Sequence, residues 1–500
     1  MNDPKGTKVA ASRPGELSGS ALPSAGIQES SPTALGRSAG WHITQIERDT
    51  LGTMQATSWV YGVGLLASLA LTAVGGWAWS QMLRTGLGIT GLNGTVMWGS
   101  LITTFVFFIG VSHSGTLVSA ILYFTRSPLR AAVGRSAEAM TVIAILTAGV
   151  YPIIHLGRAW LFFFLLPYPS QRGLWPNVRS PLVWDVFAVC SYVTVSALFL
   201  YMGMLPDLAL LSRRVRGWRR LLYRILSLGF SGTDAEWGLF EKAYPIFAGI
   251  VIPLAVSVHS VVSWDFAMTI MPGWHSSIFP PYFVAGAIFS GIAMAILLLG
   301  GLRHGYSLQR YIKLEHFDLL AKLLIGMSVV MTFVYATEFF MAFYRGSETE
   351  VELFRWRAAG AYAPVFWLVV LFNSVAPLVL FWKRARRSLP TLVVVSVLVS
   401  IGMWFERFMF IVSTLAHHYN PYAWRGYTPT VLEACICLGG FGMFLTLFLL
   451  FIKILPCMSV AETIQGEHAA THLSLRSSTG FHPPSTAPSP ELAPEVAHAS

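Results

Sequence analysis

The stretch IFPPYFVAGAIFSGIAMAILLLGGL, residues 278–302, contains no acidic, basic or histidine side chain. A helix of about 20 mostly apolar residues spans the hydrocarbon core of a bilayer, so this segment is long enough to cross one. Nine more stretches of the same character occur at 58–82, 97–124, 139–166, 182–211, 244–271, 319–344, 362–382, 390–416 and 430–455. The pattern predicts an all-α integral membrane protein with ten transmembrane helices. Composition points the same way, with 54% hydrophobic and 12% charged residues over 500 positions, where soluble domains carry about 25% charged residues. An ordinary water-soluble enzyme is excluded.

The net charge of +10 does not indicate a nucleic-acid partner, because the basic residues lie mainly in short connections between apolar segments. Alternate connections, together with both tails, hold 23 Lys and Arg; the opposite set holds 7. Basic loops stay on the cytoplasmic side. Both termini are therefore expected in the cytoplasm, with the first apolar segment serving as an anchor rather than a cleavable signal. Residues 1–57 and 456–500 are expected to be disordered tails, rich in Ser, Pro, Gly and Ala, with Trp41–Leu51 along the membrane interface. Tyr151-Pro-Ile-Ile-His155 in helix 3 sits at about the depth of Tyr335-Ala-Thr-Glu338 in helix 7, and the segment before helix 6 has an echo before helix 10. Helices 2–5 (97–271) and 6–9 (278–416) thus read as two similar four-helix bundles, flanked by helices 1 and 10.

Ionisable groups inside a membrane are costly and mark functional sites by default. The orientation collects several of them. His113 and Ser114 lie near the middle of helix 2, while His155 lies in the outer half of helix 3 with Arg158 a turn beyond. Asp185 falls at the outer start of helix 4, and His259 and Asp265 in the outer half of helix 5. A hydrogen-bonded packing role competes for each histidine, and a helix-start role for Asp185, which follows Ser180-Pro181. In the second bundle the set is Glu338, Glu406, Arg407 and Glu433. Glu406 and Arg407, being sequence neighbours, are not expected to face one another. Either a brace from Arg407 to Glu338 or Glu433, or a proton-carrying chain, would use these groups.

Cys190, Cys435, Cys437 and Cys457 form no CxxC or CxxCH pattern, no helix carries two well-separated histidines, and no HExxH occurs. Haem, iron–sulfur and zinc are accordingly not expected on this chain. A proton-exchanging organic ligand remains. Oxidation of a quinol releases two electrons and two protons, so its site needs a carboxylate or imidazole near each ring oxygen and an apolar entrance. His155 and Asp185 are the pair expected to do this, with the electrons passing to a docked partner.

Four segments carry a resemblance: Trp274–Gly291, Tyr151-Pro-Ile-Ile-His155-Leu-Gly-Arg158, Ser180-Pro-Leu-Val-Trp-Asp185 and Leu455-Pro-Cys-Met-Ser-Val-Ala-Glu462. Together they resemble the polysulfide reductase membrane-subunit (NrfD-like) family, over about residues 58–462, and within it the quinol-binding ActC subunit of bacterial alternative complex III. The resemblance implies a quinol:electron-acceptor oxidoreductase in the bacterial inner membrane. It implies as partners an iron–sulfur subunit, multihaem and monohaem cytochrome c subunits, a paralogous ten-helix membrane subunit and a terminal cytochrome c oxidase. Its quinol-site positions map onto Ser114, His155, Asp185 and Asp265, and proton translocation proposed for the family would use Glu338, Glu406 and Arg407.

Two other function classes compete: a secondary transporter or proton channel, and a structural anchor of a redox complex. Against transport stand the expectation that the outer polar cluster has no inner counterpart and the lack of paired Gly/Pro breaks in helices 3 and 7.

Overall fold

The computed structural model describes residues 45–55, 57–125, 130–167 and 177–463. Most of the two tails expected to be disordered, 1–44 and 464–500, lies outside the described residues. Ten helices are long and apolar enough to cross a membrane, and no strand occurs among the described residues.

In chain order the helices are α1 (Gln45–Gln55), α2 (Trp59–Thr85), α3 (Ser100–Phe124), α4 (Arg130–His155), α5 (Pro181–Ser212), α6 (Trp218–Leu226) and α7 (Asp234–Ala267). They continue with α8 (Phe279–Gly305), α9 (Leu314–Arg345), α10 (Glu348–Ala359), α11 (Ala363–Val370), α12 (Lys383–Arg386), α13 (Leu389–Ala416) and α14 (Val431–Ile454). The eighth span is irregular: α11 runs into a π-helical turn at Leu371–Val375 and a 3-10 turn at Ala376–Phe381, with Pro377 removing a backbone donor.

α3 and α8 are the most enclosed spans and pack on each other at the centre. Their approach depends on small residues. A Cβ on Gly291 of α8 would overlap the hydroxyl of Ser114, and Gly110 of α3 faces Ala287 and Ser290. α4 and α7 pack on α3, with α5 against α4 and α7; α7, α9 and α13 pack on α8, with the eighth span against α9 and α13. α2 pairs with α14, backbone to backbone, where Gly75 meets Gly439 and Gly442 meets Ser68 and Leu71. α1 is held to the rest of the protein. Tyr311 donates to Asp49 (2.8 Å), Lys453 Nζ to the Thr53 carbonyl (2.9 Å) and Arg310 to Gln45 (2.6 Å).

The third span departs from the sequence reading of 139–166. It runs from Arg130 to His155, and Gly157, at φ +69°, turns the chain out of the helix. The apolar run that drew the reading onward, Ala159–Leu165, is a 3-10 segment with Trp160, Phe162, Phe163 and Phe164 exposed. At the other end, Arg135 and Glu138 look like loop charges in the sequence but are buried within α4.

Burial is tolerated there because the charges meet. Arg135 contacts Glu138 at 3.1 Å and Asp207 of α5 at 3.2 Å, and donates to the carbonyls of Gly203 (2.6 Å) and Leu200 (3.3 Å). Ser119 and Tyr244 donate to the second oxygen of Glu138, at 2.6 and 3.1 Å, and Ala461 N–H donates to Asp207 at 2.9 Å. Arg130 pairs with Glu462 at 2.5 Å beside this group. A polar cluster therefore lies toward the end of α5 opposite Asp185, which corrects the expectation that the polar groups at the Asp185 end have no counterpart at the other. That argument against a transport role falls away; the sequence missed the cluster because its partners come from four separate segments.

Candidate functional site

At the opposite end of the first bundle, α5 begins and α7 ends side by side. Ser180 occupies the cap position of α5, with Pro181 opening the helix, so Asp185 lies a full turn inside and is 7% exposed. It is not the helix cap. Asp265, two residues before the end of α7, is 8% exposed. The two carboxyl groups approach closely enough for a side-chain hydrogen bond, and their preceding neighbours, Trp184 and Trp264, meet edge to face at 6.1 Å. A carboxylate has no donor, so such a contact holds only with a proton between the two. The buried Oδ1 of each receives no N–H or O–H donor among the described residues, so the two carboxyl groups are each other's polar partners.

His259 lies six residues earlier on α7, about 9 Å deeper along the helix. Its ring is 4.9 Å from that of His113, which stacks on Tyr192 at 4.2 Å and 7°. His113 Nδ1 lies 2.6 Å from the Ile109 carbonyl, so this nitrogen donates, and its Nε2 has no partner. Neither ring nitrogen of His259 makes a well-formed hydrogen bond, although the Phe283 backbone lies near the ring. Tyr192 hydrogen-bonds the Thr116 hydroxyl and donates to the Ser112 carbonyl at 3.1 Å. Two of the sequence-selected histidines thus form an imidazole pair beneath the carboxyl pair.

Ser114 points elsewhere. Its hydroxyl donates to the Val111 carbonyl at 3.0 Å and is closed against Gly291 of α8. His155 has a different charged neighbour from Asp185. Tyr151, one turn earlier, donates to the Ile436 and Cys437 carbonyls at 3.2 Å each, fastening this part of α4 to α14. The charged neighbour of His155 is Glu433, in the first turn of α14, and no hydrogen bond or ion pair joins His155 to Asp185 among the described residues. Glu433 belongs to a capping box with Thr430, accepts from Gly91 N–H at 2.8 Å, and receives the Tyr427 hydroxyl at 2.6 Å. Burial, with the carboxylate next to it, holds the Tyr427 phenol above its ordinary range, so it remains a donor. Arg158 is exposed, at the start of the 3-10 segment.

In the second bundle the expected separation of Glu406 from Arg407 is corrected. Arg407 Nε lies 3.2 Å from Glu406 Oε2, because two long side chains on successive residues curl along the helix surface to meet. The geometry makes no hydrogen bond, and both Glu406 oxygens lack one. Arg407 rests over Phe283 at 4.3 Å and Tyr282 at 5.3 Å, with Gly286 leaving room for its guanidinium. Much of the Trp274–Gly291 segment is explained by these contacts, since Trp274 also donates to the Phe410 carbonyl at 3.1 Å.

Glu338 has two charged neighbours, Arg357 and Arg407, and no ion pair joins it to either among the described residues. Arg357 of α10, read as a loop charge, is 2% exposed, donates to Ser413 (2.7 Å) and Thr414 (2.5 Å), and lines a small cavity together with Glu338 and Tyr335. Glu338 also borders a more open cavity of about 360 Å3, whose wall includes His275, Arg345 and Glu350. Arg407 braces neither Glu338 nor Glu433 by an ion pair among the described residues. No group of three or more His, Cys, Asp or Glu side chains among the described residues is placed to hold a metal ion.

The chain is similar to several membrane proteins of redox complexes. A putative dimethyl sulfoxide reductase membrane subunit of Halobacterium salinarum is 29% identical over 47% of this chain, a match spanning 50% of that protein's length. A selenate reductase subunit of Mesobacillus selenatarsenatis is 23% identical over 77% of this chain and 92% of its own. An Hdr-like menaquinol oxidoreductase integral membrane subunit of Archaeoglobus fulgidus is 23% identical over 79% of this chain and 94% of its own. The profile of the polysulphide reductase NrfD family matches residues 88–417, which takes in α3 to α13 with the carboxyl pair, the imidazole pair and the Glu338 cavity, and the chain therefore belongs to that family.

Proposed function

We propose that this chain is the quinol-binding membrane subunit of a quinol:electron-acceptor oxidoreductase of the alternative complex III type. The observation that carries the reading is the carboxyl pair Asp185–Asp265, buried where α5 begins and α7 ends and within hydrogen-bond reach of one another. A relative described as a menaquinol oxidoreductase subunit supports the choice of ligand class.

In this reading the quinol ring enters between α5 and α7, and one hydroxyl donates to a carboxyl oxygen of Asp185 or Asp265. Oxidation breaks both O–H bonds; two electrons leave to a docked iron–sulfur partner and two protons leave to side chains and then to water. The carboxyl pair takes the first proton. His155, at the end of α4 beside Glu433, is the acceptor for the second, on the α14 side. Ser114 has a packing role at the α3–α8 contact, so its substitution acts through helix approach rather than through the ligand. The complex lies in a bacterial inner membrane with both termini of this chain cytoplasmic and the carboxyl pair on the outer side. Cytochrome c subunits, a second ten-helix subunit and a terminal oxidase complete the route.

The deciding experiment replaces Asp185 or Asp265 by Asn, and His155 by Ala, in the assembled complex. Quinol-driven reduction of the acceptor is expected to fall at least tenfold in each, with assembly unchanged; normal turnover in Asp185→Asn and His155→Ala sinks the reading.

A second reading has its own support. Arg357, Glu406 and Arg407 lie buried in helices α10 and α13, and half-buried Glu338 borders the cavity of about 360 Å3. These residues fit a proton route coupled to turnover. Glu338→Gln is expected to abolish proton release beyond the two from quinol while leaving electron transfer in place.

A further inference from the structure

Between α5 and α7 the chain places six arginines, Arg213, Arg214, Arg216, Arg219, Arg220 and Arg224, and no acidic residue occurs from 208 to 233. Gly217, at φ +68°, turns the chain from the end of α5 into α6, which runs across that end of the bundle. The helix is pinned on one side. Tyr223 is fully buried and donates to the Ile454 carbonyl at 2.7 Å, Arg219 donates to the carbonyls of Met54 (3.2 Å) and Lys453 (3.3 Å), and Tyr201 donates to the Leu226 carbonyl at 2.5 Å.

The remaining surface divides in two. Trp218, Leu221 and Ile225, spaced three and four apart, share one face and are 61, 54 and 61% exposed. Arg220 and Arg224, one turn apart, share another, and exposed Arg216 precedes them by the same spacing. Just past the helix Leu228 is 74% exposed at φ +48°. A leucine enters the left-handed region only at a cost, and in water its exposed side chain would add nothing to offset it. Against acyl chains the same side chain is solvated by hydrocarbon.

Because α6 leaves directly from the end of a spanning helix, its depth is that of lipid headgroups. An apolar face beside arginines that have no acidic partner among the described residues is complementary to an anionic lipid, and a zwitterionic one would leave the charge uncompensated. We propose that α6 is an anionic-phospholipid site, in which Arg216, Arg220 and Arg224 hold the headgroup phosphate and the acyl chains lie against Trp218, Ile225 and Leu228. The site is independent of the carboxyl pair and of the proposed quinol reaction.

The test reconstitutes the full chain in nanodiscs of equal phosphatidylglycerol and phosphatidylcholine and counts retained lipids by native mass spectrometry. The ratio of retained phosphatidylglycerol to retained phosphatidylcholine is expected to exceed the supplied ratio of one about tenfold. Replacing Arg216, Arg220 and Arg224 together by Gln should return the ratio to that of supply, whereas Lys at the same positions should keep most of it. If the Gln variant does not fold, raising the ionic strength on the unaltered chain must reduce the enrichment. No enrichment in the unaltered chain, or enrichment unchanged by the Gln variant or, where that variant cannot be made, by salt, overturns the proposal and leaves this face to a partner protein.

Discussion

Asp185 and Asp265 are 80 positions apart in the sequence, and each alone reads as an ordinary intramembrane acid; their contact gives the site its chemistry. If they share one proton, replacing either by Asn keeps a hydrogen-bonded pair of the same shape but removes the carboxylate that accepts from quinol. Both single variants, and the double, should therefore lose turnover to a similar extent, because the pair acts as a unit; additive losses in steady-state rates would count against a shared site. Arg135 tests the cluster it forms with Glu138 and Asp207. Its removal leaves Glu138 and Asp207 buried without their cation, and breaking one partner of a buried ion pair costs about 3–5 kcal/mol. Arg135→Ala is expected to lower the thermal unfolding midpoint of the purified chain and its yield, whereas Arg158→Ala, at an exposed position, should leave both unchanged.

At the scale of elements, the positions of the catalytic candidates follow from how α3, α4 and α14 are fastened. A Cβ at Gly440 would collide with the Tyr151 hydroxyl, which anchors the last turn of α4. Gly440→Val should thus displace His155 from Glu433 and reduce turnover without touching the carboxyl pair, a result read as reduced acceptor reduction with assembly retained. Gly291→Val, at the α3–α8 contact, has no such local outlet, and loss of the folded chain is the expected outcome in detergent-resistance or exclusion-chromatography assays. Elements were legible in the sequence wherever the apolar run was uninterrupted, as in α8 and α14. The third span was not, because Arg135 and Glu138 broke its inner half and Ala159–Leu165 extended its apolar run beyond the helix. Hydropathy counts what a residue is, and says nothing of which charge will find a partner.

For the whole molecule, the proposed orientation makes its own prediction. With cysteine introduced at the fully exposed Tyr422, in the connection before α14, a membrane-impermeant maleimide should label intact spheroplasts. Cysteine at Arg384, in the short helix α12 at the opposite end, should react only after lysis. The reverse pattern would put the carboxyl pair on the cytoplasmic side and, with it, the release of protons from quinol.

The sequence by itself determined the ten apolar spans, the expected orientation and the short list of ionisable residues that the membrane must accommodate, because transfer of a side chain into hydrocarbon depends on that side chain alone. Family membership was also carried by local segments. Only the tertiary structure decided which of those residues meet. It paired Asp185 with Asp265 rather than with His155, and His113 with His259, set Glu338 and Arg357 around one small cavity, and assembled Arg135, Glu138 and Asp207 into a cluster. Those meetings depend on helix rotation and neighbour order, which are set by glycine contacts and hydrogen bonds between segments far apart in the chain, and no pattern along one helix records them.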